Sequence, residues 1–515
     1  MNRSKNIQRL KSESFDILVV GGGATGTGTA LDAASRGLKT ALVERYDYSS
    51  GTSSKSTKLL HGGVRYLEQA VKKIDRVQYK LVKDALHERS TLLKLAPHLT
   101  RSLALVTPLY RTMEAPYYMA GLKLYDWLAG RKGLTHSHYV SAQQALQKFP
   151  MLRQEGLKGA VVYYDGQFDD ARMNICLAVT AVEQGAALAN YVAVESLLKH
   201  NGKIIGVQAR DKETEESFPI KAKVVVNACG PFCDSIRKMD NPNVEPMLTV
   251  SSGIHIVLDK KFSPPETGLL IPKTEDKRVL FLLPWQGHTL VGTTDNPAPI
   301  EDNPQVNSKD IEYILRQLKQ YFSMEVQKKD VLSSWCGLRP LISKLKSHDT
   351  ARLSRDHIVN VSESNLITVT GGKWTTYRKM AVDTVSQAVR VGQLKPLRPS
   401  MTDKIPLAGG EKFKSSIANE IEKKYGYEKS VCAHLMEAYG NRAFEVLKLT
   451  QEFPGKLVES HPYLVAEVIY AVRCEGARTP EDVLARRLRL AFLDDKNTQT
   501  IYPKVQEWVK KEVAL

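Results

Sequence analysis

Gly21, Gly23 and Gly26 fall in a G-x-G-x-x-G spacing, and Glu44 follows 23 residues after Gly21. Glycines so spaced suit a bound pyrophosphate. The first makes a tight turn, the second lets phosphates approach the backbone, and the third lets a helix pack closely on a strand. A helix N-terminus behind them offers N–H donors and partial positive charge. A carboxylate at the end of the next strand can accept both ribose hydroxyls and would repel the 2′-phosphate of NADP. The next run, YSSGTSSKSTK at 48–58, is rich in hydroxyls. It suits a loop threading beneath an extended cofactor, although a polar surface loop has the same composition.

To hold these groups, the chain needs a strand, a turn, a helix and a second strand. FDILVV at 15–20 reads as a buried parallel strand, 27–36 as a helix turning Ala30, Ala33 and Ala34 to the sheet, and 39–43 as the second strand. KVVVNA at 223–228 and LITVT at 366–370 read as further parallel strands, so the dinucleotide fold is discontinuous in sequence. Between them, 251–295 and 335–355 alternate in the manner of an antiparallel sheet. From about residue 400 strand runs cease, and 412–424, 430–450 and 463–493 are helix-periodic. Thr479-Pro480-Glu481-Asp482 reads as a helix start, with a hydroxyl cap and proline in the first turn. This unit by itself does not separate NAD from FAD.

STKLLHGGVRYLE at 56–68 resembles the signature of the FAD-dependent glycerol-3-phosphate dehydrogenases, and residues 15–45 resemble that family's opening fingerprint. Further blocks follow in the family's order: VNACGP at 226–231, SGIH at 252–255, VGTTD at 291–295, CGLRPL at 336–341, LSRDH at 353–357, GGKWTTYR at 371–378 and EGARTPEDVLARR at 475–487. The resemblance implies an α/β FAD-binding Rossmann-type fold with an antiparallel β-sheet substrate cap and a C-terminal all-helical domain. We expect an N-terminal tail at 1–14 and a flavin part at 15–100, 150–250 and 356–395. The cap would take 101–149 and 251–355, and the helical domain 396–515. The EF-hand loop of the animal mitochondrial members is not seen.

The implied reaction oxidises sn-glycerol 3-phosphate to dihydroxyacetone phosphate by hydride transfer to flavin N5. It needs cations for the phosphate, a proton acceptor for the C2 hydroxyl and positive charge near the reduced ring. Arginine suits the phosphate through its two-pronged fork. Arg65, Arg339 and Arg355 all lie in family blocks, with Tyr66 beside them, and each alone also reads as a surface ion-pair residue. For the base, His255 sits in the apolar run IHIV, where alternation sets it opposite its isoleucine neighbours, and an ordinary histidine titrates near ~6.5. A hydrogen-bonded core histidine is the competing reading. His61 also competes, though the flavin loop suits it to cofactor contact. Lys373, after Gly371 and Gly372 at a helix start, would hold negative charge on the ring or the substrate's oxygens. Thr294 and Asp295 would line the pocket or support an arginine. Cofactor contacts are expected from Gly21, Gly23, Ala24, Thr25, Gly26, Glu44, Arg45, Thr52, Ser53, Ser54, Lys58, His61, Gly62, Gly63, Ala228, Gly230, Gly371, Gly372, Lys373 and Trp374. The FAD is expected to be non-covalent, and no metal site is expected.

Charge and cysteines bound the remaining readings. Lys and Arg number 73 against 56 Asp and Glu, a net charge of +17 over 515 residues. The cations interleave with acids instead of forming a nucleic-acid stripe, so no nucleic-acid partner is expected. Six cysteines are too few and too irregular for a disulfide framework, and no paired CxxC appears. The first fifteen residues lack the apolar stretch of a secretory signal, and a short mitochondrial presequence is the second reading. No apolar run reaches the ~18 residues of a membrane span. Residues 71–95 are amphipathic, and 107–133 mix tyrosine and tryptophan with basic residues, a composition that suits a helix in the headgroup region as well as one packed on a core. Resemblance to a quinone-linked family implies an anionic membrane surface and a membrane quinone as partners, with a homodimer left open. The expected place is peripheral, on the cytoplasmic face of a bacterial inner membrane or on the mitochondrial inner membrane. The alternatives are an oxygen-reducing glycerol-3-phosphate oxidase, whose members carry an insertion, and a flavin amine or amino-acid oxidoreductase. A non-enzymatic basic binding protein ranks last.

Overall fold

The computed structural model describes residues 1–63, 76–111, 113–276, 278–342 and 357–514. Its strands, numbered in chain order, form two sheets. The first holds β1 (Ser14–Val20), β2 (Thr40–Glu44), β7 (Ala187–Asn190), β8 (Val192–His200), β9 (Lys203–Asp211), β10 (Ser217–Asn227), β17 (His357–Val361) and β18 (Ile367–Gly371). The order β17-β18-β10-β1-β2-β7 is parallel from β18 to β7, with the β8–β9 hairpin added on β10. Helix α2 (Ala24–Ser35) leaves the end of β1 and is buried almost throughout. Its small residues let it pack between the helices Asp170–Glu183 and Tyr377–Val391.

The second sheet holds β3 (Leu59–Leu60), β4 (Thr100–Leu109), β5 (His138–Ser141), β6 (Gly159–Phe168) and β11 (Leu248–Asp259). Its remaining strands are β12 (Thr267–Ile271), β13 (Leu280–Trp285), β14 (His288–Gly292), β15 (Asn296–Pro297) and β16 (Val331–Ile342). Its ladders are antiparallel except between β4 and β12. β3 and β6 thus differ from the sequence reading, which placed both segments with the flavin part. β6 is covered on both faces. Such a strand reads as an unbroken apolar run whichever sheet it joins.

The N-terminal segment is likewise more than a tail. Helix α1 (Arg3–Ser12) docks on the first sheet, where Arg3 Nη2 meets Asp211 Oδ1 at 2.6 Å and Asn6 Nδ2 donates to Leu188 O at 2.8 Å. Its apolar face is only Ile7 and Leu10, both buried against the sheet, so in a short and otherwise polar segment the periodicity was weak. In the C-terminal region, 430–450 breaks at Gly440, whose φ is +56°. The stretch 463–493 divides into Val465–Glu475, the wide turn Asp482–Arg487 and Leu490–Leu493, with Arg489 left-handed at φ +71°. Thr479 and Asp482 cap one another there. A last helix, Asp495–Val513, lies beyond the expected periodic runs.

His98 shows how this packing sets acid stability. It is buried where the flavin part meets the C-terminal region, with Phe413 and the Arg172 guanidinium as neighbours. Burial, helped by Arg172, pushes its pKa down to about 3. Unfolded, it takes a proton near pH 6.5 that the fold refuses. Stability from this group is therefore complete above that pH and lost as pH falls toward 3, at no more than about 1.4 kcal/mol per pH unit. Denaturation midpoints between pH 4 and 7 should fall less steeply in His98→Gln than in the parent chain. An equal slope would remove His98 from the account.

Candidate active site

Where the two sheets and the C-terminal helices meet, they enclose a cavity of about 860 Å³. At one end lie the turn after β1, Glu44, Arg45 and Tyr46. At the other lie His255, Arg339, Phe281 and Lys373.

The glycine turn matches a pyrophosphate cradle. A Cβ on Gly26 would lie 1.8 Å from Gly21 O, so the turn cannot close around any side chain there. Gly21 itself has φ +110° and lies against the Ala228 carbonyl. Behind the turn, Ala24 N donates to Ser53 Oγ at 3.0 Å. Glu44 Oε2 accepts from Gly22 N at 2.6 Å and Oε1 from Tyr46 N at 2.9 Å, and burial raises its pKa. The Arg45 guanidinium stands 4.4 Å from the Phe232 ring centroid and pairs with Asp302, closing the outer end. These features fit the adenosine and pyrophosphate of FAD: a turn without side chains, a helix N-terminus, and a carboxylate beside a ribose-sized space. Gly26→Ala should bring about tenfold or greater loss of retained flavin (~1.4 kcal/mol), read from the ratio of visible to ultraviolet absorbance. Full flavin content would contradict this assignment.

The hydroxyl loop ties three parts together. Thr52 Oγ1 donates to Leu338 O at 2.7 Å, and Ser53 O accepts from Trp374 Nε1 at 2.9 Å. Ser54 O accepts from Lys58 Nζ at 2.9 Å and from Arg489 Nη2 at 2.8 Å. Three expected cofactor contacts need correction, because Gly26 packs against Gly21 O and Ala228 off the cavity wall and two others lie behind it. Lys58 lies wholly buried behind the cavity, where Nζ pairs with Asp170 Oδ2 at 2.7 Å and burial lowers its pKa to about 8. Gly62 is covered by Leu86 and Tyr125, and its N–H donates to the Tyr125 hydroxyl at 2.7 Å. Of the two lysines in the loop, Lys55 is the one that lines the cavity. Spacing alone does not say which lysine faces inward.

Two expected substrate groups meet at the inner end. His255, 2% exposed on β11, puts Nε2 3.0 Å from Thr57 Oγ1 and lies parallel to Trp335 at 5.4 Å between centroids. Burial, with Lys58 and Arg339 close by, holds its pKa well below the ordinary histidine range. It is therefore an unprotonated acceptor at neutral pH. Arg339 crosses beneath Gly253, where a Cβ would lie 2.2 Å from Nη2. Its Nη2 donates to Thr293 Oγ1 at 2.7 Å and Thr294 O at 2.9 Å, and its Nη1 meets Asp295 Oδ1 at 3.2 Å. Thr294 and Asp295 are absent from the cavity wall. Thr294 Oγ1 accepts from Ile254 N at 3.1 Å, and Asp295 pairs with both Arg339 and Arg278. Both therefore support the arginine.

Thr25, Gly23, Ala24, Ser53, His61, Gly63, Ala228, Gly230, Gly371, Gly372, Lys373 and Trp374 all line the cavity. Arg65, Tyr66 and Arg355 lie outside the described residues. Sequence reading missed Asp165, which lines the same wall from β6. Its Oδ1 accepts from Arg89 Nη1 at 2.5 Å and from the Tyr125 hydroxyl at 2.9 Å, and burial pushes its pKa up to about 6. A lone acid within the apolar run VVYYDGQF was the available signal. The C-terminal domain adds Glu481, Ala485, Arg486 and Phe492 to the wall, which no periodicity argument shows.

The FAD dependent oxidoreductase family model matches residues 16–378, and the model for the C-terminal domain of alpha-glycerophosphate oxidase matches 400–515. The mitochondrial glycerol-3-phosphate dehydrogenase of Bos taurus is 48% identical over 99% of this chain and 72% of its own length. The Homo sapiens counterpart is 47% identical, again over 99% of this chain and 72% of its own length. Among solved structures, the glycerol-3-phosphate dehydrogenase of Bacillus halodurans, complexed with FAD, superposes with a TM-score of 0.80 at 32% identity, covering 99% of this chain and 93% of that one. The L-alpha-glycerophosphate oxidase of Mycoplasma pneumoniae shares the fold, with a TM-score of 0.57 at 16% identity over 76% of this chain and 98% of that one.

Proposed function

This chain belongs to the FAD-dependent glycerol-3-phosphate dehydrogenases, and from that premise we propose that it oxidises sn-glycerol 3-phosphate to dihydroxyacetone phosphate and passes the electrons to a membrane quinone. The observation that carries the reading is the meeting of a neutral buried histidine and a clamped arginine at the inner end of one cavity whose other end is a pyrophosphate cradle. FAD, when bound, supplies the two-electron acceptor for the hydride leaving C2. The chain does the rest. Arg339, whose Nη groups bond Ser252, Thr293, Thr294 and Asp295, offers the phosphate its charge. We assign Arg65, Tyr66 and Arg355 to the same pocket from the family blocks alone. His255 takes the proton of the C2 hydroxyl as the C–H bond breaks, so alcohol becomes ketone without an alkoxide forming first. Lys373 and the Gly371–Gly372 turn place positive charge at the end of β18.

Among the described residues no helix is long and apolar enough to cross a membrane. Attachment on this reading is peripheral. The helix Glu114–Ala129 and its N-terminal neighbour expose Met113 at 83%, Tyr117 at 48% and Trp127 at 70%, with Lys123 and Lys132 also exposed. We assign the lipid contact to this face. The names of its relatives say mitochondrial, which favours that compartment over the alternative, the cytoplasmic face of a bacterial membrane.

Turnover of sn-glycerol 3-phosphate under argon with a soluble quinone analogue tests the acceptor. Quinol should accumulate one for one with ketone, and air should add little peroxide. Peroxide formed in step with ketone, with no quinol, would make the protein an oxidase.

A further inference from the structure

We propose that Thr57, Trp335 and Phe492 are positioning residues for His255, so that the C-terminal helical domain takes part in setting the base. The inference rests on His255 being the proton acceptor.

His255 has two ring nitrogens in different surroundings. Nδ1 is fully buried and has no hydrogen-bond partner among the described residues. Nε2 stands 3.0 Å from Thr57 Oγ1, and both His255 and Thr57 line the cavity. A substrate hydroxyl can therefore reach only Nε2, which accepts a proton only when Nδ1 carries the ring's own. A threonine hydroxyl donating to Nε2 favours that tautomer and aims the Nε2 lone pair. When substrate binds, the threonine O–H turns away and the C2 hydroxyl takes its place on the single Nε2 lone pair. Its O–H bond breaks, an Nε2–H bond forms, and the positive charge stays on the imidazole.

Thr57 is held to this task from both sides. Asp170 Oδ2 accepts from Ser56 N at 2.9 Å and from Lys58 Nζ at 2.7 Å, pinning the residues before and after it. Asp170 Oδ1 in turn lies 3.4 Å from Arg489.

The ring plane is set by Trp335, which stacks on His255 at 5.4 Å and 17°. Trp335 is wedged by the edge of Trp285 at 5.8 Å and by that of Phe492 at 4.7 Å. Phe492 belongs to the short C-terminal helix Leu490–Leu493, where its carbonyl accepts from Ser333 Oγ at 2.5 Å and its ring lies 4.3 Å from the Arg489 guanidinium. A chain of ring contacts thus runs from the C-terminal domain to the base. Among the described residues, the charged groups that act on His255 are Lys58 from the loop and Arg339 from β16, each paired with an aspartate.

The test is anaerobic stopped-flow reduction of the flavin-loaded enzyme by sn-glycerol 3-phosphate, fitted to a limiting rate and a substrate dissociation constant. Thr57→Val should lower the limiting rate about 10- to 100-fold while changing the dissociation constant less than about threefold. Thr57→Ser should stay within about threefold of the parent on both. Phe492→Leu should slow the limiting rate about 3- to 10-fold. If that variant loses flavin, Phe492→Met, unbranched and able to adapt to the space, is read the same way. Thr57→Val at the parent rate, or Thr57→Val and Thr57→Ser equally slow, would overturn the hydroxyl's role. A parent rate in the Phe492 variant would overturn the C-terminal part. His255→Asn at the parent rate would instead remove the underlying reading of the base.

Discussion

His255→Asn should slow reduction of the bound flavin by sn-glycerol 3-phosphate about 100- to 10,000-fold at neutral pH, with flavin content unchanged. The size follows from what the fold invests in this ring. It is 2% exposed and stacked on Trp335. A Cβ on the neighbouring Gly292 would come within 2.2 Å of its Cδ2, so the strand beside it is kept bare for the ring. Burial and two nearby cations keep it neutral, so the acceptor is present well below pH 6.5. The sign follows: as pH falls from 8 toward 6.5, protonation of this base should not slow the parent enzyme, because its pKa lies well below the ordinary histidine range. Asparagine fills much of the same space and can still bond Thr57, but it cannot take the proton. A variant reducing at more than about a tenth of the parent rate would mean that another group is the base.

The second large effect is on the join between flavin part and C-terminal domain. Arg172 Nη1 and Nη2 meet Glu475 Oε2 and Oε1 at 2.6 and 2.8 Å, with side chains 3% and 5% exposed. Nearby, Asp47 is shared by Arg486 at 2.6 Å and by Arg487, both buried. Such groups are costly to desolvate, and removing one partner leaves a buried charge without its counterion. Glu475→Gln should therefore cost about 3–5 kcal/mol and lower the thermal midpoint by several degrees. Glu183→Gln breaks the more exposed Arg442–Glu183 pair, whose side chains are 17% and 45% exposed, and should cost no more than about 1 kcal/mol. Equal midpoints for the two variants would show that burial does not set the strength of this join. Limited proteolysis offers a second reading, since the weakened join should expose the 400–416 connection first.

What the sequence made legible were local features with a chemical reason. The glycine turn, Glu44 and the parallel strands beside them are set by short-range sterics and apolar runs, and they sit together in the first sheet. His255 stood out as a histidine in an apolar strand, and Arg339 as an arginine inside a family block. What stayed hidden depends on tertiary contact. Whether Lys55 or Lys58 faces the cavity turns on Asp170, 112 residues beyond Lys58. The place of β6 in the second sheet was hidden because both its faces are covered, which erases the alternation that would have shown it. α1 was missed because its buried apolar face is only Ile7 and Leu10, with the Arg3 and Asn6 contacts completing the docking. Phe492 reached the cavity wall through a left-handed Arg489 that no periodicity predicts.

Visible spectroscopy under strict anaerobiosis, before and after sn-glycerol 3-phosphate is mixed in, tests the central claim most directly. The purified protein should show oxidised flavin absorbance that bleaches within the first turnover, leaving one dihydroxyacetone phosphate per flavin. Flavin that stays oxidised with sn-glycerol 3-phosphate, yet bleaches with an amine or amino acid, would contradict the assignment of the Arg339 and His255 pocket to a phosphorylated alcohol.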